Sequence, residues 1–208
     1  VSRFVLASAS PARLGVLRTA GVEPLVRVSG VDEDALTASL GYAASPEDVV
    51  VALARAKAEA VTSEFDDAVV VGCDSMLWIG GELHGKPHTV DVARDRWAAM
   101  AGRSGDLLTG HAVVRIEAGA VVAVAAACSS TTVHFSVPSA TDLEAYLASG
   151  EPLEVAGAFT LDGLGGWFVD RIDGDPSSVI GIGLPLVRRL LNEVGLSMSD
   201  VWSGSASQ

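Results

Sequence analysis

Lysine is the scarcest charge in this sequence. Of 208 residues only Lys57 and Lys86 are lysine, against twelve arginines and 26 acids, and the formal net charge is −12. A chain so poor in positive charge lacks the basic surface that nonspecific binding to nucleic acid or to an anionic membrane requires. Long hydrophobic runs are missing too. The longest near-apolar stretch, Gly119 to Cys128, falls well short of the ~20 residues that span a bilayer, despite a mean hydropathy of +0.39. The apolar block from Phe4 to Ala7, ahead of Ala7-Ser8-Ala9, is shorter than the about 7–15 apolar residues of a secretory leader. The two cysteines, Cys73 and Cys128, lie 55 residues apart with no CxxC, which excludes a disulfide framework and a zinc site alike. No GxxxxGK[ST] and no opening GxGxxG is present, so neither a P-loop nor a dinucleotide fingerprint applies. No repeat, low-complexity tract or linker divides the chain. The expectation is a soluble cytoplasmic protein, a single domain over residues 1–196 with a loose tail over 197–208.

What is present is ample core. Hydrophobic residues make up 49% of the chain and charged ones 19%, enough to exclude global disorder. Phe4-Val5-Leu6-Ala7 reads as a buried strand, and Ser10-Pro11 as a helix start with Ser as N-cap and Pro at the first position, running to Gly21. Ser45-Pro46-Glu47-Asp48 resembles a capping box and opens a second helix, with Lys57 on its middle turns, to about Glu64. Asp67 to Cys73 reads as a buried strand ending at Asp74, and Met76 to Leu83 as a hairpin about Gly80-Gly81. Thr89 and Ser139 cap two more helices, with the strands Leu107–Glu117 and Val121–Val137 between them. A Gly-rich turn at Gly163-Leu-Gly-Gly166 precedes a strand from Trp167 to Ile172, and a last helix covers Pro185 to Val194. Interleaved strands and helices, with hairpins breaking the βαβ rhythm, predict an α/β protein on a mixed sheet.

Several segments carry chemistry. Ser8-Ala9-Ser10 before a Pro-opened helix makes a strand–loop–helix junction, where unpaired amides and the helix dipole attract anions. Arg13 in the first turn could add donors, although an ordinary capped helix has the same look. Asp74, leaving a buried strand behind Gly72, points to a sheet edge where a carboxylate can hold Mg²⁺ or take a proton from water. Lys86 follows on the rigid turn Gly85-Lys86-Pro87. As a compact point charge, lysine suits a phosphate oxygen better than arginine's planar fork. Asp32-Glu33-Asp34 reads equally as a solvated loop or a source of metal ligands. His84 and His88 have helical ligand spacing, but Gly85 and Pro87 between them forbid helix and leave two loop histidines. Met100, Trp97 and Trp167 read as core, with Trp167 open because it adjoins the Gly-rich turn.

Taken in order, Ser8-Ala-Ser-Pro-Ala-Arg13, Lys57, Gly72-Cys-Asp-Ser75, Gly85-Lys-Pro87, Gly102-Arg103, Gly150-Glu-Pro-Leu153, Ala156-Gly-Ala158, Gly163-Leu-Gly-Gly166 and Leu184-Pro185 resemble the Maf family of nucleoside triphosphate pyrophosphatases, also known as septum-formation inhibitors. The likeness runs from Phe4 to about Val194. It implies a bilobed, elongated mixed sheet flanked by helices about a central cleft, related to inosine triphosphate pyrophosphatases. The implied reaction is hydrolysis of a nucleoside triphosphate to the monophosphate and pyrophosphate with Mg or Mn, in a possible homodimer, with no nucleic-acid or membrane partner. By motif match Asp74 takes the place of the catalytic acid, with Lys57 and Lys86 beside it. Arg13, Lys57 and Lys86 fall on phosphate-binding positions, Ser8 and Ser10 on the substrate loop, and Asp74 with Glu33 on the metal side. Ala12, Ser75 and Asp162 occupy positions resembling the family's substrate-discriminating set. Each departs from the usual residue there, so the dTTP/UTP preference is not carried over. An ionised Asp162 can only accept hydrogen bonds, which suits guanine or cytosine. The rival readings are a non-catalytic Maf-like regulator of cell division and an inosine triphosphate pyrophosphatase-type activity.

Overall fold

The computed structural model describes residues 3–41 and 43–202. Two compact units emerge. One combines the segment ending at Asp74 with Thr109–Ser129 and the segment starting at Gly181; the other combines Ser75–Leu108 with Ser130–Ile180. In chain order the elements are β1 (Arg3–Leu6), α1 (Pro11–Thr19), β2 (Leu25–Val26), α2 (Glu33–Leu40), α3 (Pro46–Glu59), β3 (Ala68–Ile79), β4 (Glu82–His84), α4 (Val90–Met100), β5 (Ser104–Glu117), β6 (Ala120–Phe135), α5 (Ala140–Ala148), β7 (Val169–Asp173), α6 (Pro176–Ile180), α7 (Leu184–Glu193) and α8 (Met198–Val201). The strand order is β2-β1-β3-β5-β6-β7, with β4 also on β3, so the expected mixed α/β sheet is observed.

In the first unit β1 runs parallel to β2 and to β3, with Phe4 opposite Val69 and Leu6 opposite Val71. Parallel strands are covered on both faces, which is why Val69, Val70 and Val71 form an unbroken apolar run. Strand alternation then sorts the side chains. Phe4, Leu6, Val69, Val71, Cys73 and Val113 pack with Leu17 of α1 and with Leu186, Val187, Leu190 and Leu191 of α7. Val5, Ala7, Val70, Ala112 and Val114 face the other way, toward Ala54 and Ala58 of α3.

Two glycines set how closely α3 approaches. A Cβ on Gly72 would lie 2.1 Å from the Ala54 carbonyl, and one on Gly110 would lie 2.1 Å from the Val50 carbonyl. Both obstacles are backbone, so only glycine fits unless the helix moves. Gly72→Ala is therefore expected to lower unfolding stability by about 1–3 kcal/mol, the usual cost of overpacking, and to displace Lys57. Urea denaturation checks it, and an unchanged midpoint would contradict the close approach.

The second unit is organised about Trp97. Its ring meets Phe135, Tyr146 and Phe168 edge-on, and its Nε1 donates to the Ala158 carbonyl at 2.8 Å. Trp97 and Met100 are core, as expected, but Trp167 is 85% exposed. The hairpin about Gly80-Gly81 forms with positive φ at both glycines.

Four expectations change. β3 does not end at Asp74 but continues to Ile79. The acid run does not form a loop, because the Asp32 side chain accepts from the Ala35 amide at 2.9 Å and caps α2, which begins at Glu33. The strand expected from Trp167 starts at Val169, because Leu164–Phe168 winds as a 3₁₀ turn closed by Glu151, whose carboxylate accepts from the amides of Leu164 and Gly165 at 3.0 Å each. The segment from Ser197, expected as a loose tail, opens with a capping box between Ser197 and Asp200 and the helical turn of α8; residues 203–208 lie outside the described residues. Among the described residues no helix is long and apolar enough to cross a membrane.

Candidate active site

Alternation along β3 places Asp74 on the same face as Val70 and Gly72, the face that α3 covers. Lys57 lies in the last turn of that helix, beyond the middle turns expected from the sequence. Its ammonium donates to Asp74 Oδ1 at 2.6 Å and pairs with Glu33 Oε1 at 2.8 Å. The side chains of Lys57 and Asp74 are 10% and 8% exposed, whereas that of Glu33 is half exposed. Burial pushes the Asp74 carboxyl above its ordinary range, with Lys57 and Arg13 opposing that rise. The other carboxylate oxygen, Oδ2, is buried without a hydrogen-bond partner. A buried acceptor left unpaired costs free energy, so this oxygen stands out among the polar atoms of the cluster.

The β1–α1 junction supplies the second half of this cluster. Ser10 caps α1, its hydroxyl accepting from the Arg13 amide at 3.4 Å, and its own amide donates to Ser8 Oγ at 3.2 Å. Ala12 sits half-buried in the first turn, which carries no acid. Arg13 folds back: Nη1 donates to Ser8 Oγ at 3.0 Å and to the Cys73 carbonyl at 2.9 Å, while Nε donates to the Gly181 carbonyl at 2.8 Å. Arg13 thus fastens the junction to the residue next to Asp74. The Cys73 thiol, pushed up to about 11 by burial, stays protonated and inert at neutral pH.

Ser75, Lys86 and Asp162 belong to the second unit. Ser75 is half-buried and Asp162 exposed. Lys86 projects from a turn braced at Gly85, whose carbonyl accepts from Arg96 and from the Gly157 amide; its nearest carboxylate is Glu154 at 3.9 Å. At that distance and exposure the pair contributes little to stability. His84 ends β4 and His88 lies in the following turn with a φ of 61°.

Sequence reading passed over His111. This fully buried residue on β5 faces the α7 side of the sheet, like Val113. Its Nδ1 is 2.9 Å from the Thr109 carbonyl and its Nε2 accepts the Gly183 amide at 2.8 Å. A carbonyl only accepts and an amide only donates, so the ring is neutral with its proton on Nδ1. Burial, with the Arg13 charge adding to it, lowers its pKa from 6.5 to about 4. The unfolded chain therefore binds a proton here below about pH 6.5, while the folded chain resists until about pH 4. Stability contributed by neutral His111 is complete above 6.5 and lost as pH falls toward 4, by up to about 3 kcal/mol. Urea unfolding at pH 7 and pH 4.5 is expected to show this loss in the native sequence and a much smaller one in His111→Gln. Equal slopes would contradict it.

The donor set around Asp74 is of carboxylate oxygens, which suits a hard divalent cation. Among the described residues no group of three or more His, Cys, Asp or Glu side chains is arranged to hold a metal. That is compatible with Mg²⁺, which commonly takes one or two carboxylates and fills its remaining positions with phosphate oxygens and water. The orphaned Asp74 Oδ2 is the atom that fits such a partner.

Comparison with known proteins bears on the same segments. A protein of Rhodococcus jostii (strain RHA1) named nucleoside triphosphate pyrophosphatase is 69% identical over 210 residues, spanning 99% of this chain and 98% of the relative. Proteins of the same name from Nocardia farcinica (strain IFM 10152) and Mycobacterium ulcerans (strain Agy99) are 66% and 57% identical, over 97% and 99% of both chains respectively. The family model for Maf-like protein matches residues 3–194, which includes the Ser8–Arg13 junction, Lys57, Asp74 and Lys86. With the match running from the first described strand to the end of α7, this chain belongs to the Maf-like protein family.

Proposed function

We propose that this chain hydrolyses nucleoside triphosphates to the monophosphate and pyrophosphate. The observation that carries the reading is a buried carboxylate with one oxygen committed to Lys57 and the other unpartnered, fastened through Cys73 and Arg13 to a helix N-terminus rich in hydroxyls. The name shared by the relatives at 57–69% identity supports the same reaction.

In this reading water attacks phosphorus, a phosphorus–oxygen bond forms to it, and the bond joining the α- and β-phosphates breaks to release pyrophosphate. Positioning and charge stabilisation dominate such substitutions. Ser8, Ser10 and the amides at the start of α1 bind phosphate oxygens, and Arg13 holds that loop against β3. Asp74 Oδ2 either accepts the proton of the attacking water or ligates a divalent metal together with Glu33. A bound Mg²⁺ or Mn²⁺ would supply charge neutralisation and acidify water at neutral pH. Lys57 sets the ionisation of Asp74, and Lys86 neutralises charge on the substrate. A protein of charge −12 needs such local cations to hold a polyanion.

Pyrophosphate release across a panel of ribo- and deoxynucleoside triphosphates, with Mg or Mn and with chelator, tests the proposal. Metal-dependent release is expected, and its absence for every nucleotide would remove the reading. Acceptor-only Asp162 favours bases that present N–H donors, so GTP or CTP should exceed dTTP and UTP; dTTP as the best substrate overturns that preference. Lys86→Ala is expected to lower kcat by about 10²–10³-fold, as removal of a donor to developing charge does. Because Lys86 is exposed and loosely paired, its thermal unfolding should stay unchanged.

A further inference from the structure

We propose that His111 is a positioning residue for Arg13, acting through the Gly181–Gly183 loop. The inference rests on the pyrophosphatase reading for its kinetic consequence, but its structural part stands separately. Arg13 carries charge at the β1–α1 junction, and its long side chain would sample several rotamers if left alone. Its conformation is fixed by acceptors from three parts of the chain, of which the Gly181 carbonyl meets Nε.

That carbonyl can serve only if the loop bearing it is fixed, and three features fix it. Ile182 is fully buried in the core beneath α7. Gly181 adopts a φ of +142°, and a Cβ there would come within 3.1 Å of Arg13 Cγ, so the backbone lies directly on the arginine stem. Gly183, the N-cap residue of α7, supplies no side-chain cap, and its amide is taken by His111 Nε2 at 2.8 Å. The His111 ring is itself oriented by the Thr109 carbonyl, two residues back on the same strand. A chain of contacts thus runs from β5 through His111 to Gly183, Gly181 and Arg13, and from Arg13 to Ser8 and to the carbonyl preceding Asp74. Histidine suits this place because its neutral ring offers an acceptor to a buried amide and a donor to a buried carbonyl at opposite ends of a rigid plane. Apolar residues of that size would take this acceptor away from the buried Gly183 amide.

His111→Ala should release the Gly183 amide, loosen the loop and misplace Arg13, with kcat falling by roughly 10–10²-fold, in line with an ångström-scale misplacement at a catalytic site. His111→Gln, whose amide oxygen can reach the Gly183 amide, should restore most of that loss. Combining His111→Ala with Arg13→Ala separates positioning from general loosening. If His111 acts through Arg13, the double variant is no slower than Arg13→Ala alone; additive losses in kcat would overturn the proposal. A second readout needs no turnover. The Arg13 Nε–H signal in nitrogen–proton NMR, assigned with Arg13→Lys, should be protected from solvent exchange in the native sequence and in His111→Gln, and lose protection in His111→Ala. Unchanged protection in His111→Ala overturns the proposal even if kcat falls. Absence of pyrophosphate release from the native protein would remove the pyrophosphatase reading alone, leaving the Nε–H signal to decide the linkage. Should His111→Ala fail to fold, the comparison of Nε–H protection and kcat is made with His111→Phe, which keeps ring volume but offers no acceptor and is expected to behave as the alanine variant should.

Discussion

Asp74→Asn is expected to abolish pyrophosphate release in a protein that still folds. Asparagine matches aspartate in shape but offers neither a negative charge to a metal nor a base to water. The loss should be at least about 10³-fold in kcat, within the range for removing a general acid–base group. Stability should change far less. Burial already raises the Asp74 pKa, which means that the site disfavours the charge it carries. Glu33 remains 2.8 Å from the Lys57 ammonium and keeps that cation compensated when Asp74 is neutralised. The expected stability loss is therefore about 1–2 kcal/mol, below the range for a buried ion left alone. Pyrophosphate release and urea unfolding, measured on the same preparation, separate the two effects. Near-normal release from Asp74→Asn would take the catalytic assignment away from the whole Lys57–Asp74 cluster.

Local chemistry makes part of this site readable in the sequence. Ser10-Pro11 announces α1, Ser45 and Asp48 announce α3, and Gly80-Gly81 announces the hairpin, because caps and tight turns are satisfied by residues a few positions away. The pairing of Lys57 with Asp74 depends on something longer in range. It requires that Asp74 share a strand face with Gly72 and that glycine at 72 and 110 admit α3 to contact with backbone. Periodicity gives the face, but not which helix covers it. Asp74 looked like a strand end because a charge in a buried run normally terminates it; Lys57 supplies the opposite charge, and β3 continues to Ile79. Helix α2 went unseen for a different reason. None of its residues is buried, so it has no apolar stripe to read, and its only signal was the Asp32 cap inside an acid run. His111 was invisible altogether, since its partner at Gly183 is 72 residues away.

Lys57→Met should give the largest loss of stability from a single side chain in the cluster. Methionine keeps the length and apolar stem of lysine but removes the cation between two carboxylates. Asp74 is then a buried carboxylate without a partner, and truncating one member of a buried pair commonly costs 3–5 kcal/mol, so a loss of about 3 kcal/mol is expected. Part of that cost is escaped if Asp74 takes up a proton, which makes the loss larger at pH 8 than at pH 5. Turnover should fall as well, by about 10²–10³-fold, because the acid loses the cation that favours its charged form. The informative variant is the double one. Replacing Asp74 with Asn in the Lys57→Met background removes the stranded charge, so stability should return toward that of the native protein while activity remains absent. Replacing a buried pair by neutral groups is often neutral for stability even though breaking it is not. A coupling energy of about 2 kcal/mol or more in the urea cycle is thus expected between positions 57 and 74. Simple additivity of the two losses would mean that Lys57 and Asp74 act separately, and the view of this cluster as one charge-balanced device for handling a polyphosphate would have to be given up.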